Sequence, residues 1–140
     1  MLFAMHILNS CKTTRLTKEQ EVLLSQSTRT IKILPSKIEV DKLGNLYVID
    51  VNNQLSLFTH TGVQKFKYSE KRYGAIHSID VSNPLKILVY HKDFNLIRIL
   101  DNTLNISETI SLNTNNKFST VTLASWSNDS NFWIFDDLQQ

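Results

Sequence analysis

Apolar positions in this chain come in short runs, cut by clusters of Asn, Asp, Ser and Gly. That is the pattern of many brief strands rather than of long amphipathic helices. It is clearest from Ser36 onward. Ile38 and Val40 alternate with polar neighbours, which predicts a half-buried strand. Asp41–Asn45 supplies a turn, and Leu46–Asp50 is apolar enough to be buried on both faces. Asn52-Asn53 turns the chain again. Leu55, Leu57 and Thr59 then alternate with Ser56 and Phe58, and Thr61-Gly62 turns into Val63–Tyr68. Four strands joined by tight turns make an antiparallel meander.

The order recurs. Ala75–Val81 is expected as an inner strand and Asp80–Pro84 as its turn, with Pro84 where a missing N–H is tolerated. Leu85–Tyr90 follows, then a turn at His91-Lys92-Asp93, then Phe94–Leu100. Asp101–Asn105 turns into Ile106–Leu112. After a polar loop at Asn113–Lys117, a third unit runs through Ser119–Ser125, a turn at Ser127–Ser130, and Asn131–Phe135. This last unit lacks an outer strand pair. The expectation is truncation after Gln140, with closure by assembly and an open sheet stack as the alternatives.

The units also match in residue character. Gly44-Asn45-Leu46-Tyr47-Val48-Ile49-Asp50 returns as Ser130-Asn131-Phe132-Trp133-Ile134-Phe135-Asp136, with a weaker copy at Asn83–Val89. Copies spaced by about 40 residues mean one supersecondary unit used repeatedly, and short strands at that period suggest a propeller blade. The predicted fold is all-β: antiparallel four-stranded meanders in a partial β-propeller of about two and a half blades. The repeat domain is placed at 36–140, with units 36–69, 75–112 and 119–140.

Ahead of it, residues 12–35 are read as a linker with N-terminal strands. Thr17 with Gln20 fits a capping box opening a helix over 18–26. Glu21–Ser25 and Thr30–Leu34 fit a strand pair, and the strands are the expectation. Met1–Leu8 is short and apolar, and Leu8-Asn9-Ser10-Cys11 is followed by the polar Lys12-Thr13-Thr14-Arg15. That order is similar to the tail of a bacterial lipoprotein signal, in which the cysteine is lipidated. Residues 1–11 are therefore expected to be an export or lipoprotein signal, with Cys11 as the lipidation site and membrane tether. No Lys or Arg precedes Cys11 and His6 interrupts the apolar run, which would place the true start upstream of Met1. The alternative is an incidental cysteine behind a frayed N-terminus.

Composition narrows the classes. The net charge of +2 weighs against a dedicated nucleic-acid binder. Three glycines and two prolines leave turn formation to Asn and Asp, which bond back to their own backbone. One cysteine excludes an intrachain disulfide.

Chemistry is sparse. His6, His60, His77 and His91 have no zinc-type spacing. His60 and His91 sit beside turns and are expected to be exposed, whereas His77 opens an inner strand, facing a channel or hydrogen-bonded within the sheet. The oxygen-rich turns at Asp41, Asp50 and Asp129 each offer one carboxylate, too few for calcium. Asp136 and Asp137 are adjacent strand residues pointing to opposite faces. Lys65-Phe66-Lys67-Tyr68 and Lys71-Arg72-Tyr73 interleave cations with aromatics, as an outer strand with one solvated face also does. Trp126 and Trp133 are expected in the core, with stacking on a ligand as the alternative. No residue is assigned a catalytic, metal or cofactor-binding role, and no cofactor is implied.

The run Ile79–Tyr90, with Asp93-Phe94-Asn95, Leu100–Leu104 and the earlier Val40–Val48, resembles a family of uncharacterised exported bacterial proteins with propeller-like, NHL-like repeats. The resemblance covers about residues 36–136 and is most specific over 79–104. It implies an export signal, a propeller-like fold and a cell-envelope location, and no activity. The functional expectation is a non-enzymatic binding or scaffold module with a protein or glycan partner. Self-association through open sheet edges is the expected liability. The alternatives are an enzyme with its site in the propeller channel and a non-functional fragment of a longer gene.

Overall fold

The structure is a computed structural model that describes residues 17–19, 30–113, 118, 121–129 and 131–137. The chain divides into two units, Met1–Thr30 and Ile31–Gln140. In the first, Lys18 and Glu19 form a helical turn, where the capping-box alternative would open. Cys11 and the expected strand at 21–25 lie outside the described residues.

The second unit is built from antiparallel meanders, as expected. One four-stranded sheet contains β1 (Pro35–Val40), β2 (Leu46–Asp50), β3 (Gln54–Phe58) and β4 (Gln64–Ser69), paired in that order. A second contains β5 (Ser78–Asp80), β6 (Ile87–His91), β7 (Leu96–Leu100) and β8 (Ile106–Ser111). The third pairs β9 (Val121–Trp126) with β10 (Phe132–Asp136). The fold class is all-β, consistent with a partial propeller.

Several local expectations are corrected. Residues 30–34 form no strand. Ile33 N–H donates to the Ile31 carbonyl at 3.1 Å, a tight turn incompatible with a ladder, and the strand begins only at Pro35. β1 is exposed at every position instead of half-buried. The weak third copy is out of register by two residues. β6 starts at Ile87, because Asn83 Oδ1 accepts the Leu85 N–H at 3.0 Å and Lys86 N–H donates to the Asn83 carbonyl at 3.0 Å. Pro84 and Leu85 therefore belong to the turn. The expected turn at His91 begins one residue later: His91 ends β6, and Lys92–Phe94 is a 3-10 helix closed by left-handed Asn95.

Register explains the layering. Residues directly opposite one another in an antiparallel pair share a face. Tyr47 opposes Leu57 and Ile49 opposes Leu55, and this face packs on Ile79, Val81, Ile87 and Val89 of the second sheet. The other face of the second sheet, with Leu88, Tyr90, Ile97 and Ile99, packs on Val121 and Ala124 of the third. Ile110, Trp126, Phe132 and Ile134 pack against that cluster. The first and second sheets thus each bury one face against the sheet that follows, as stacked blades do.

The turns repeat one construction. Asp41, Thr59 and Asp101 each bond N–H to the carbonyl four residues on, and each accepts the N–H three residues on. The residue three on is left-handed: Gly44 and Gly62 at φ 79°, Leu104 at φ 61°. Glycine suits that backbone, whereas leucine strains it. Leu104 stays there because its side chain is buried between the first two sheets.

Candidate binding site at the converging strand turns

The three inner strands β1, β5 and β9 line an open groove of about 580 Å³, bordered by Glu39, Val40, Ser78–Ser82 and Leu123–Ser125. At the end where these strands turn back lies a second, polar pocket of about 230 Å³, lined by Lys42, Ser82, Asn83, Lys86, Trp126, Ser127 and Asn128. The lining follows from the repeat. The connections Asp41–Asn45, Val81–Lys86 and Ser127–Asn131 join equivalent strands, and Lys42, Asn83 and Asn128 lie near the start of each. Equivalent turns from three sheets deliver two lysines, two amides and an indole to one place.

Trp126 is fixed there. Its indole N–H donates to the Lys86 carbonyl at 2.7 Å, and its backbone N–H donates to Asp80 Oδ2 at 2.7 Å. Ser125 Oγ also donates to Asp80 Oδ2, and Ser82 N–H to Oδ1 at 2.8 Å. Burial opposes charge on Asp80, but these hydrogen bonds outweigh it and hold its pKa below the usual carboxylate value. Neither lysine has an ion-pair partner among the described residues.

Asp41 is spoken for. Its carboxylate accepts Leu43 N–H and Asn45 N–H at 2.9 Å, Asn45 Nδ2 at 2.9 Å and Tyr47 OH at 3.4 Å. Burial and that carboxylate push the Tyr47 hydroxyl up to about 12. Asp50 accepts Asn52 and Gln54 N–H, and Asp129 accepts Asn131 N–H and Nδ2. The oxygen-rich turns use their carboxylates to hold the chain. Among the described residues no group of three or more His, Cys, Asp and Glu is placed to hold a metal.

A second cluster went unseen in the sequence. His91 is fully buried, contrary to its expected exposure, because the end of β6 lies beneath the 70–77 connector. Its Nε2 lies 3.3 Å from Tyr68 OH, and Tyr73 packs edge-on at 6.3 Å. Burial lowers its pKa, against the pull of the Gly74 and neighbouring carbonyls, so the ring is neutral near pH 7. Arg98 lies over Tyr73 at 4.8 Å, 4.0 Å from Glu70, and bonds Thr109 Oγ1. Glu70 pairs with Arg72 at 3.0 Å, and the Arg72 hydrogen bonds lower its pKa to about 2. The cluster is packed between two sheets and is structural. His91 lies next to a turn in sequence, so nothing local signalled its burial.

The remaining candidates separate cleanly. His77 N–H bonds the Tyr90 carbonyl at 2.8 Å and its ring stacks edge-on with Tyr90, the sheet-bonded alternative. His60 is exposed beside its turn. Phe66 and Tyr68 oppose Leu57 and Leu55, so the aromatics of that basic run face the next sheet. Trp133 is 72% exposed, which corrects its core placement.

The fold and pocket define a propeller-type module. The solved structure titled "Streptogramin B lyase structure", a β-propeller protein, is similar in fold, with TM-score 0.53 and 18% identity over 73% of this chain. The present chain spans about a third of that one, covering 34% of it. No family model matches the chain, and no curated protein matches it in sequence. The propeller-like part of the resemblance at 79–104 is thus supported by structure, and its exported-family part rests on the sequence alone.

Proposed function

We propose that this chain is a non-enzymatic, propeller-type binding module of the bacterial cell envelope, and that it takes an acidic glycan in the pocket formed by its strand turns. The carrying observation is the convergence of Lys42 and Lys86 with the indole of Trp126 and the amides of Asn83 and Asn128. An indole face accepts the apolar side of a sugar ring. Asparagine amides bond hydroxyls, and unpaired ammonium groups favour a carboxylate-bearing sugar over a neutral one. The envelope location rests on Leu8-Asn9-Ser10-Cys11, with Cys11 as the lipid tether.

Calorimetry with a galacturonic acid oligomer tests the pocket. Saturable binding to the wild type that is lost in Lys42→Glu and Lys86→Glu supports the proposal. Absence of binding, or binding indifferent to both changes, contradicts it. For the tether, Cys11→Ser in a bacterial host should move the protein from the membrane to the soluble fraction. Retention at the membrane would remove the lipid-anchor role.

A further inference from the structure

Two of the turns that wall the lysine pocket also wall a second one. Neighbouring residues part between them: Lys42, Asn83 and Lys86 line the lysine pocket, whereas Leu43, Pro84 and Leu85 line an adjacent pocket of about 210 Å³. The floor of this second pocket is a row of side chains in register across the first sheet. Tyr47 opposes Leu57 and Leu57 opposes Phe66, so the three share the face that meets the second sheet. Exposure rises along the row, from 1% at Tyr47 to 6% at Leu57 and 37% at Phe66. Pro84 and Leu85 form the opposite wall, with Asn102 from the next turn of the second sheet. All the walls come from the first two sheets, which pack on each other through Tyr47, Leu57, Ile79 and Val81.

Size and charge define what fits. Pockets that take a whole small molecule span about 300–1,000 Å³. The lysine pocket, about 230 Å³, and its neighbour are each smaller, so each suits one part of a ligand, and the shared turns set the parts side by side. Leu43 and Leu85 are 64% and 65% exposed. A single exposed leucine is ordinary, but here two converge with Phe66 on one pocket. Lys65 also lines it and, like Lys42 and Lys86, has no ion-pair partner among the described residues. Three lysines around an apolar pocket complement a ligand that is apolar at one end and anionic at the other.

We infer that the second pocket takes an apolar aglycone of one or two rings, carried by the acidic sugar that the lysine pocket holds. This rests on the glycan reading and narrows its ligand to an acidic glycoside with an aromatic aglycone. Phe66 and the two leucines remove the aglycone from water, while Lys42 and Lys86 hold the carboxylate of the sugar.

NMR titration of the full chain with three glycosides tests this. Naphthyl glucuronide carries both groups, methyl glucuronide lacks the rings, and naphthyl glucoside lacks the carboxylate. Naphthyl glucuronide should bind about tenfold or more tightly than either of the others. Leu43→Ser and Leu85→Ser should each remove most of its advantage over methyl glucuronide and leave the affinity for methyl glucuronide unchanged. Both side chains are exposed, so both variants should keep the wild-type circular dichroism. Equal affinity for the two glucuronides overturns this inference and leaves the glycan reading standing. An advantage that survives both leucine substitutions overturns it as well, since the rings then sit elsewhere. Equal affinity for naphthyl glucoside and naphthyl glucuronide, unaltered by Lys42→Glu and Lys86→Glu, overturns both readings, and so does absence of binding by all three.

Discussion

Tyr47 and Trp133 occupy the same position in equivalent strands, yet one is 1% exposed and the other 72%. The difference is what lies next to them. Tyr47 meets the second sheet and bonds Asp41, whereas nothing among the described residues covers Trp133. Tyr47→Ala should cost about 3–5 kcal/mol, the usual penalty for emptying a large buried aromatic site. Trp133→Ala should change the stability of the chain by about 0.5 kcal/mol or less. Urea denaturation of both variants checks this, and comparable losses would refute the layering.

Asp80 ties the third sheet to the second through Trp126 N–H and Ser125 Oγ. Asp80→Ala should cost about 1.5–3 kcal/mol, the range for hydrogen bonds to a charged group. The loss should be local, so hydrogen exchange in β9 and β10 should accelerate before that in β2 and β3. Uniform acceleration would contradict a joint at Asp80.

His91 makes stability pH-dependent. Its folded pKa is depressed by burial, so the unfolded chain binds the proton first as pH falls. The contribution is complete above the ordinary histidine value of about 6.5 and is lost as pH drops below it, by at most about 1.4 kcal/mol per pH unit. In His91→Gln the stability profile between about pH 6.5 and 5 should be flatter than in the wild type. An unchanged slope would show that His91 titrates normally.

Leu104 holds a left-handed backbone at φ 61° while its side chain fills the inter-sheet core. Leu104→Ala loses burial and keeps the strain, whereas Leu104→Gly loses burial and releases the strain. The glycine variant should match or exceed the alanine variant by up to about 1 kcal/mol, the reverse of the usual order. Thermal unfolding of the pair decides it, and a clearly more stable alanine variant would contradict the strain.

Much of this fold was legible because apolar runs of strand length alternate with Asx-rich turns. Leu46–Asp50 and Phe132–Asp136 match from sequence alone and are equivalent strands. The third copy slipped by two residues because Pro84 and Leu85 look like the start of a strand, and only the Asn83 hydrogen bonds show that the turn is still closing. Burial at strand ends was less legible. His91 and Arg98 are polar, and their burial depends on Tyr68 from the first sheet and on Glu70 and Tyr73 from the connector between sheets. The pocket was least legible, since Lys42, Asn83 and Asn128 are far apart in the chain and meet only when three turns converge. Of its residues the sequence marks Trp126, as a core residue with ligand stacking as the alternative, and the others only as turn formers.

The two indole N–H resonances give the most direct test of the central claim, a binding site where the three strand turns converge. Trp126 Nε1 is held by the Lys86 carbonyl inside the pocket, and Trp133 lies outside it. Titration with the galacturonic acid oligomer should shift the Trp126 resonance to saturation and leave that of Trp133 in place. A shift of Trp133 alone, or of neither, would contradict the site.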